Sequence, residues 1–247
     1  MAIGRIVKPL IPKVRGPPLK MLGARGQAAL AHADPAQVQH LQEMCIAVNE
    51  RDEPVQQVSK GDAHHQETMA LHRAFSVFAF TRDGRLVLQK RSACKITFPQ
   101  MWTNTCCSHP LWDEREVQGV EGAKHAAARK MEHELGVRPD PTDSYVFKGK
   151  YLYKANMASG PWGEHEMDYA LILRNFDLQR IQMNPEEVEA VDAVSPDELP
   201  RLMNDPRYTF TPWFKLFVRL GHLQKWWGDL DNLKESKDQK AIFRMDI

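Results

Sequence analysis

Only four cysteines occur in the 247 residues, and two of them, Cys106 and Cys107, are neighbours. Adjacent cysteines rarely meet the geometry of a bridge, so there is no disulfide framework and a reducing compartment is expected. Long apolar runs are equally scarce. None approaches the roughly 20 residues that span a bilayer, which argues against a membrane protein. An excess of one charge is lacking too, with 33 Lys and Arg against 32 Asp and Glu. Residues 1–33 hold Arg5, Lys8, Lys13, Arg15, Lys20 and Arg25 and no acid, which leaves the remainder with 27 basic and 32 acidic residues. A mildly acidic body offers no cluster of Lys and Arg to a polyanion, so nucleic-acid binding is disfavoured. Internal repeats and low-complexity blocks are missing.

What is present suits one substantial core, given 43% apolar residues. The expected division is a basic leader over 1–34 and a single domain over 35–247. An acid-free, basic start suits a mitochondrial presequence. Pro9, Pro12, Pro17 and Pro18 would break the amphipathic helix of such a leader, so a plain disordered tail, with a cytoplasmic or peroxisomal protein, stays open beside it. The last residues, Arg244 to Ile247, are not a Ser-Lys-Leu address.

Met44–Val48 suits a strand. Arg73–Phe80 and Leu86–Lys90 read as a hairpin around Asp83-Gly84. Ala123–Leu135 carries a stripe of Ala123, Ala127, Met131 and Leu135 and stops at Gly136, which predicts a helix with a glycine stop. Tyr145–Tyr153, Met167–Leu173 and Val188–Val194 suit further strands. Ser195-Pro-Asp-Glu198 has the form of a helix start, and one last helix is predicted from Pro212 to Trp227. Strands flanking a central helix imply an α+β fold, an α/β/α sandwich of mixed sheets.

Three of ten histidines, His64, His72 and His109, stand beside strand or loop features. On a strand, Glu164 and Glu166 share one face and His165 takes the other. Imidazoles with carboxylates suit a borderline or hard divalent ion such as Zn²⁺, Mn²⁺ or Mg²⁺. Each piece also has a plain reading: a satisfied histidine, a solvated Glu-x-Glu edge, small buried cysteines, and a surface ion pair between Lys130 and Glu134 worth a few tenths of a kcal/mol.

Longer motifs join the pieces. LHRAFSVF (Leu71–Phe78), QKRSACKITFP (Gln89–Pro99), WTNTCCSHPL (Trp102–Leu111), AARKMEHELG (Ala127–Gly136), YKAN followed by WGEHEMDY up to Tyr169, and TPWFK (Thr211–Lys215) occur in this order. Together they resemble the type I isopentenyl-diphosphate delta-isomerases, over about Gln39 to Met245. The helix segment also resembles a degenerate Nudix box, with Glu121, Arg129, Glu134, Gly136 and Val137 at box positions. Arg115 stands in place of the opening glycine, and Lys130 and His133 replace two carboxylates. A Nudix hydrolase draws its metals and activated water from that carboxylate cluster, so hydrolysis is not expected. A Nudix-type diphosphate hydrolase and a metal-binding module without activity are the alternatives.

The resemblance implies a Nudix-like sandwich and a 1,3-allylic proton shift through a carbocation, with Cys107 and Glu166 as the two proton carriers and Tyr153 assisting the glutamate. Trp213 would stabilise the cation through its ring face, with Trp102 helping to wall the pocket. It places a divalent ion on His64, His72, His109, Glu164 and Glu166, with His65 as the alternative to His64. A Mg²⁺ carried with the substrate's diphosphate would sit on Glu134, and no flavin is implied. Lys60, Arg91, Lys95, Ser108 and Lys130 would hold the diphosphate of a small-molecule substrate. A monomer is expected.

Overall fold

The computed structural model describes residues 30–31, 33–138 and 141–245. All but the end of the basic leader lies outside the described residues, including the four prolines. Ordered structure opens with α1 (Pro35–His40), capped by Asp34, whose carboxylate accepts from the Ala36 amide at 2.8 Å.

One branched sheet organises the chain. Its main path runs through β10 (Ile242–Met245), β7 (Tyr145–Asn156), β8 (Gly163–Phe176), β3 (His72–Thr81), β1 (Met44–Val48) and β2 (Pro54–Ser59). The parallel pairs are β3 with β8 and β7 with β10, while β1–β2 and β7–β8 are antiparallel, so the sheet is mixed. Two short strands, β5 (Trp102–Thr103) and β6 (Cys106–Ser108), form inside the cysteine motif. β6 pairs with β3, whereas β5 joins β4 (Leu86–Arg91) and β9 (Val188–Val194) in a side branch.

Every residue of β3 is buried, because the sheet is covered on both faces. On one face lies α3 (Gly119–Leu135), which follows the short α2 (Lys60–His64) in the chain. Its predicted stripe of Ala123, Ala127, Met131 and Leu135 packs with Phe75, Val77 and Cys106. Aromatic side chains fill the other face, where Phe78, Tyr151 and Tyr153 meet Trp213, Phe217 and Trp226. The expected α/β/α sandwich is therefore present, and no helix among the described residues is long and apolar enough to cross a membrane.

Several boundaries differ from expectation. The predicted final helix is two, α5 (Pro212–Arg219) and α6 (His222–Gly228), following α4 (Leu199–Asn204). Gly221 between them has φ 72°, a left-handed stop that the apolar pattern runs through. Ser195 and Glu198 do exchange the reciprocal bonds of a helix start, but regular helix begins only at Leu199. β2 and β10 were not expected, since each is a sheet edge with an irregular polar pattern.

Gly136 ends α3 at φ 62°, and a Cβ there would stand 2.6 Å from the Gln182 carbonyl oxygen. This close approach docks the loop that leads to Glu187 against the helix end, through Gln182 N–H to the Leu135 carbonyl at 2.7 Å. Gly136→Ala is expected to cost more than about 1 kcal/mol, read as a lower denaturant midpoint with an unchanged slope.

Candidate active site

The pleat of three strands aims the chemistry at one cavity. In register, His72 of β3 stands beside Glu166 of β8, Ser76 of β3 beside Cys107 of β6, and Tyr153 of β7 beside Glu166. Alternation then puts Glu164, Glu166 and Asp168 on the same face as Cys107 and leaves Cys106 on the other. Cys107 and Glu166 flank β3 from its two edges, and both line the cavity, together with Ser76, Arg91 and Trp213.

Four buried side chains converge there. His64 Nε2, His72 Nε2 and His109 Nε2 lie 3.7, 3.6 and 2.9 Å from one oxygen, Glu166 Oε1. His64 Nδ1 is 2.8 Å from the Lys60 carbonyl and His72 Nδ1 2.8 Å from the Ala70 carbonyl. A carbonyl only accepts, so both Nδ1 atoms carry hydrogen and the Nε2 lone pairs point inward. Burial pushes His64 down to about 4, and burial also takes His109 well below the usual imidazole range, so these rings are neutral near pH 7. Burial alone would raise the Glu166 carboxyl, but the three imidazoles gathered on it, His109 first through its hydrogen bond at 2.9 Å, outweigh burial and take the group well below the usual carboxylate range. Inward lone pairs around a carboxylate, with His64 Nε2 and His72 Nε2 otherwise without a partner, fit a divalent cation.

His64 rather than His65 belongs to this group, since His65 turns its ring edge-on to Trp162. His64 also differs from expectation in ending a helix, α2, whose cap Ser59 accepts from the Asp62 amide. Glu164 stands outside the four-membered group. Burial, with Glu166 next in weight, pushes its carboxyl well above the usual range, so it is protonated. The Tyr153 hydroxyl lies 2.9 Å from Glu164 and 2.5 Å from Glu166. Having one proton, that hydroxyl accepts from Glu164 and donates to Glu166. On the opposite wall burial pushes the Cys107 thiol up to about 12, and Arg91 donates toward its sulfur at 3.7 Å. Trp213 faces the cavity, fixed by its indole N–H to Asn104 at 3.0 Å, with the Arg91 guanidinium 5.7 Å from the ring centre. Trp102 packs on Tyr208 instead of walling the pocket.

Lys60, Lys95 and Ser108 also line the cavity. Lys130 and Glu134 do not: they form a buried pair at 3.4 Å, with Glu134 held by Gln89 and Cys106 on the α3 face, so the surface reading of this pair fails. Sequence reasoning misses Glu187, a buried carboxylate paired with Lys95. It sits in an acidic run, Glu186-Glu187-Val188-Glu189, that resembles a solvated edge. Missed as well are Ser76 and Asp168, joined at 2.7 Å, and Glu116, whose carboxylate holds Arg129 so that Arg129 reaches the His109 carbonyl at 3.2 Å.

The model of the NUDIX domain matches residues 70–214. Isopentenyl-diphosphate delta-isomerase of Schizosaccharomyces pombe is 42% identical over 215 residues, covering 83% of this chain and 92% of that protein. This chain belongs to the isopentenyl-diphosphate delta-isomerase family of NUDIX proteins. Family members in Dictyostelium discoideum, 43% identical over 80% of this chain and 87% of theirs, and in Mesocricetus auratus, 40% identical over 87% and 97%, have the same name. This isomerase thus retains the domain.

Proposed function

We propose that Cys107 and Glu166 carry the two proton transfers by which this isomerase converts isopentenyl diphosphate into dimethylallyl diphosphate in isoprenoid biosynthesis. A 1,3-allylic shift adds a proton to one carbon and removes one from another through a tertiary carbocation, so it requires a group holding a proton and a group able to take one. The observation that carries this reading is the shared cavity with a protonated thiol on one edge of β3 and an ionised carboxylate on the other. Tyr153 orients Glu166 and links it to the protonated Glu164. Trp213 offers its ring face to the cation, an attraction worth up to about 2 kcal/mol when desolvated.

His64, His72, His109 and Glu166 would hold a zinc-, manganese- or magnesium-class ion, with Glu164 beside them. When bound, that ion fixes the carboxylate's orientation and lowers its basicity. Lys60, Arg91, Lys95 and Ser108 bind the diphosphate, whose anchoring holds the alkene between the proton carriers. Lys130 and Glu134, expected from the sequence to meet the diphosphate and its Mg²⁺, are paired with each other on the α3 side and stand outside this cavity. The test is allylic product from isopentenyl diphosphate in metal-free and metal-restored protein. Full activity without metal refutes the ligand assignment, and phosphate release without allylic product establishes hydrolysis instead.

Burial sets a pH limit on binding. It pushes Lys95 down to about 8, against the pull of Glu187. The ammonium that meets the diphosphate is present below that value and lost above it, so kcat/KM should fall as pH rises through about 8. Lys95→Arg, which stays charged, should flatten this limb of the profile.

A further inference from the structure

A second cluster of imidazole and carboxylate stands at the cavity mouth, outside the machinery described above. His40, the last residue of α1, and His133, on α3, meet edge to face with ring centres 5.5 Å apart. Their Nδ1 atoms lie 3.3 and 3.9 Å from the same oxygen, Glu187 Oε1, and the three atoms are all within 4.8 Å of one another. The other oxygen, Oε2, is taken by Lys95. The carboxylate is thus divided, one oxygen for the lysine and one toward the imidazoles.

We propose that His40, His133 and Glu187 form a second metal site, suited to a borderline divalent ion of the zinc class. Two imidazoles and one carboxylate are a known donor set for such ions. Ligand atoms about 2.0–2.1 Å from a tetrahedral ion stand roughly 3.3–3.5 Å apart, so His40 and Glu187 already have the spacing and His133 needs only a small movement. The carboxylate side chain is 1% exposed, while the His40 and His133 side chains are 23% and 38% exposed. An ion can therefore enter from solvent and keep a position open.

Lys130 and Gln37 compete with the cation and have somewhere else to go. Lys130 Nζ lies 3.0 Å from His133 Nδ1, yet Glu134 at 3.4 Å on the same side chain's path can take it over. Gln37 Nε2, 3.2 Å from Oε1, can keep its second bond to the Glu186 carbonyl, also at 3.2 Å. An ion on Oε1 offsets the charge of Glu187 and loosens its hold on Lys95, which lines the cavity as His40 does. Occupation would then favour diphosphate at the mouth.

The site is read by stoichiometry, without turnover. The full chain is stripped with a chelator, then equilibrated with Zn²⁺ for metal analysis and with Co²⁺ for its visible d–d bands. About two zinc ions per chain are expected, falling to about one in His133→Ala and in His40→Leu, with one set of cobalt bands lost in each. His125→Ala removes an exposed imidazole from the same helix and should leave both ions in place. A single zinc in the unaltered chain, or an undiminished count in His133→Ala, overturns the proposal. Both results are independent of whether Cys107 and Glu166 transfer protons.

Discussion

Cys107→Ala is expected to lower kcat for dimethylallyl diphosphate formation by roughly 10²–10⁴-fold, the span that one positioned proton carrier contributes. KM and thermal stability should change little, because Cys107 is only partly covered by protein and its loss leaves the diphosphate contacts intact. The neighbouring Cys106→Ala is the control. Cys106 points to the α3 face beside Glu134, so its replacement should cost some stability in the core and largely spare turnover. Deuterium uptake from heavy water into product, measured for each variant, distinguishes lost protonation from lost binding. Retained turnover in Cys107→Ala would end the two-sided mechanism.

The second large effect is at Glu166. Glu166→Gln replaces the one oxygen on which three imidazoles converge, at 3.7, 3.6 and 2.9 Å, and removes the base that Tyr153 orients. A neutral amide neither accepts the proton nor draws a cation as a carboxylate does. Turnover should fall at least as far as in Cys107→Ala, and metal retained after dialysis should fall with it, since the carboxylate is proposed as both ligand and proton carrier. The two variants therefore differ in a second readout: Cys107→Ala keeps its metal and Glu166→Gln does not. Equal metal content in both would remove Glu166 from the ligand set.

Parts of this architecture are legible in the residues alone, and the reason is local. The helix α3 follows from a four-residue apolar stripe and a glycine with φ 62°, and the β3–β4 hairpin from two apolar runs around Asp83-Gly84. The break at Gly221 is missed although its glycine is visible, because apolar residues continue on both sides of it. The site is legible only as a set of motifs. His64, His72, His109 and Glu166 lie in segments up to about a hundred residues apart, and only the fold brings them together, strand register for His72 and Glu166 and the end of α2 for His64. Glu187 and His40 are illegible for a different reason. Glu187 is buried by the 182–187 loop docking on the end of α3 and His40 meets it from α1, and nothing in an acidic run or a short polar helix signals that contact.

Because Cys107 and Glu166, the proposed proton carriers, are set by strands bonded to a fully buried β3, the gap between them is fixed by ladder spacing. Evolution or engineering toward a longer or bulkier alkene would have to leave this floor alone. Such change would have to come through a residue such as Ile96, which borders the same cavity from a loop.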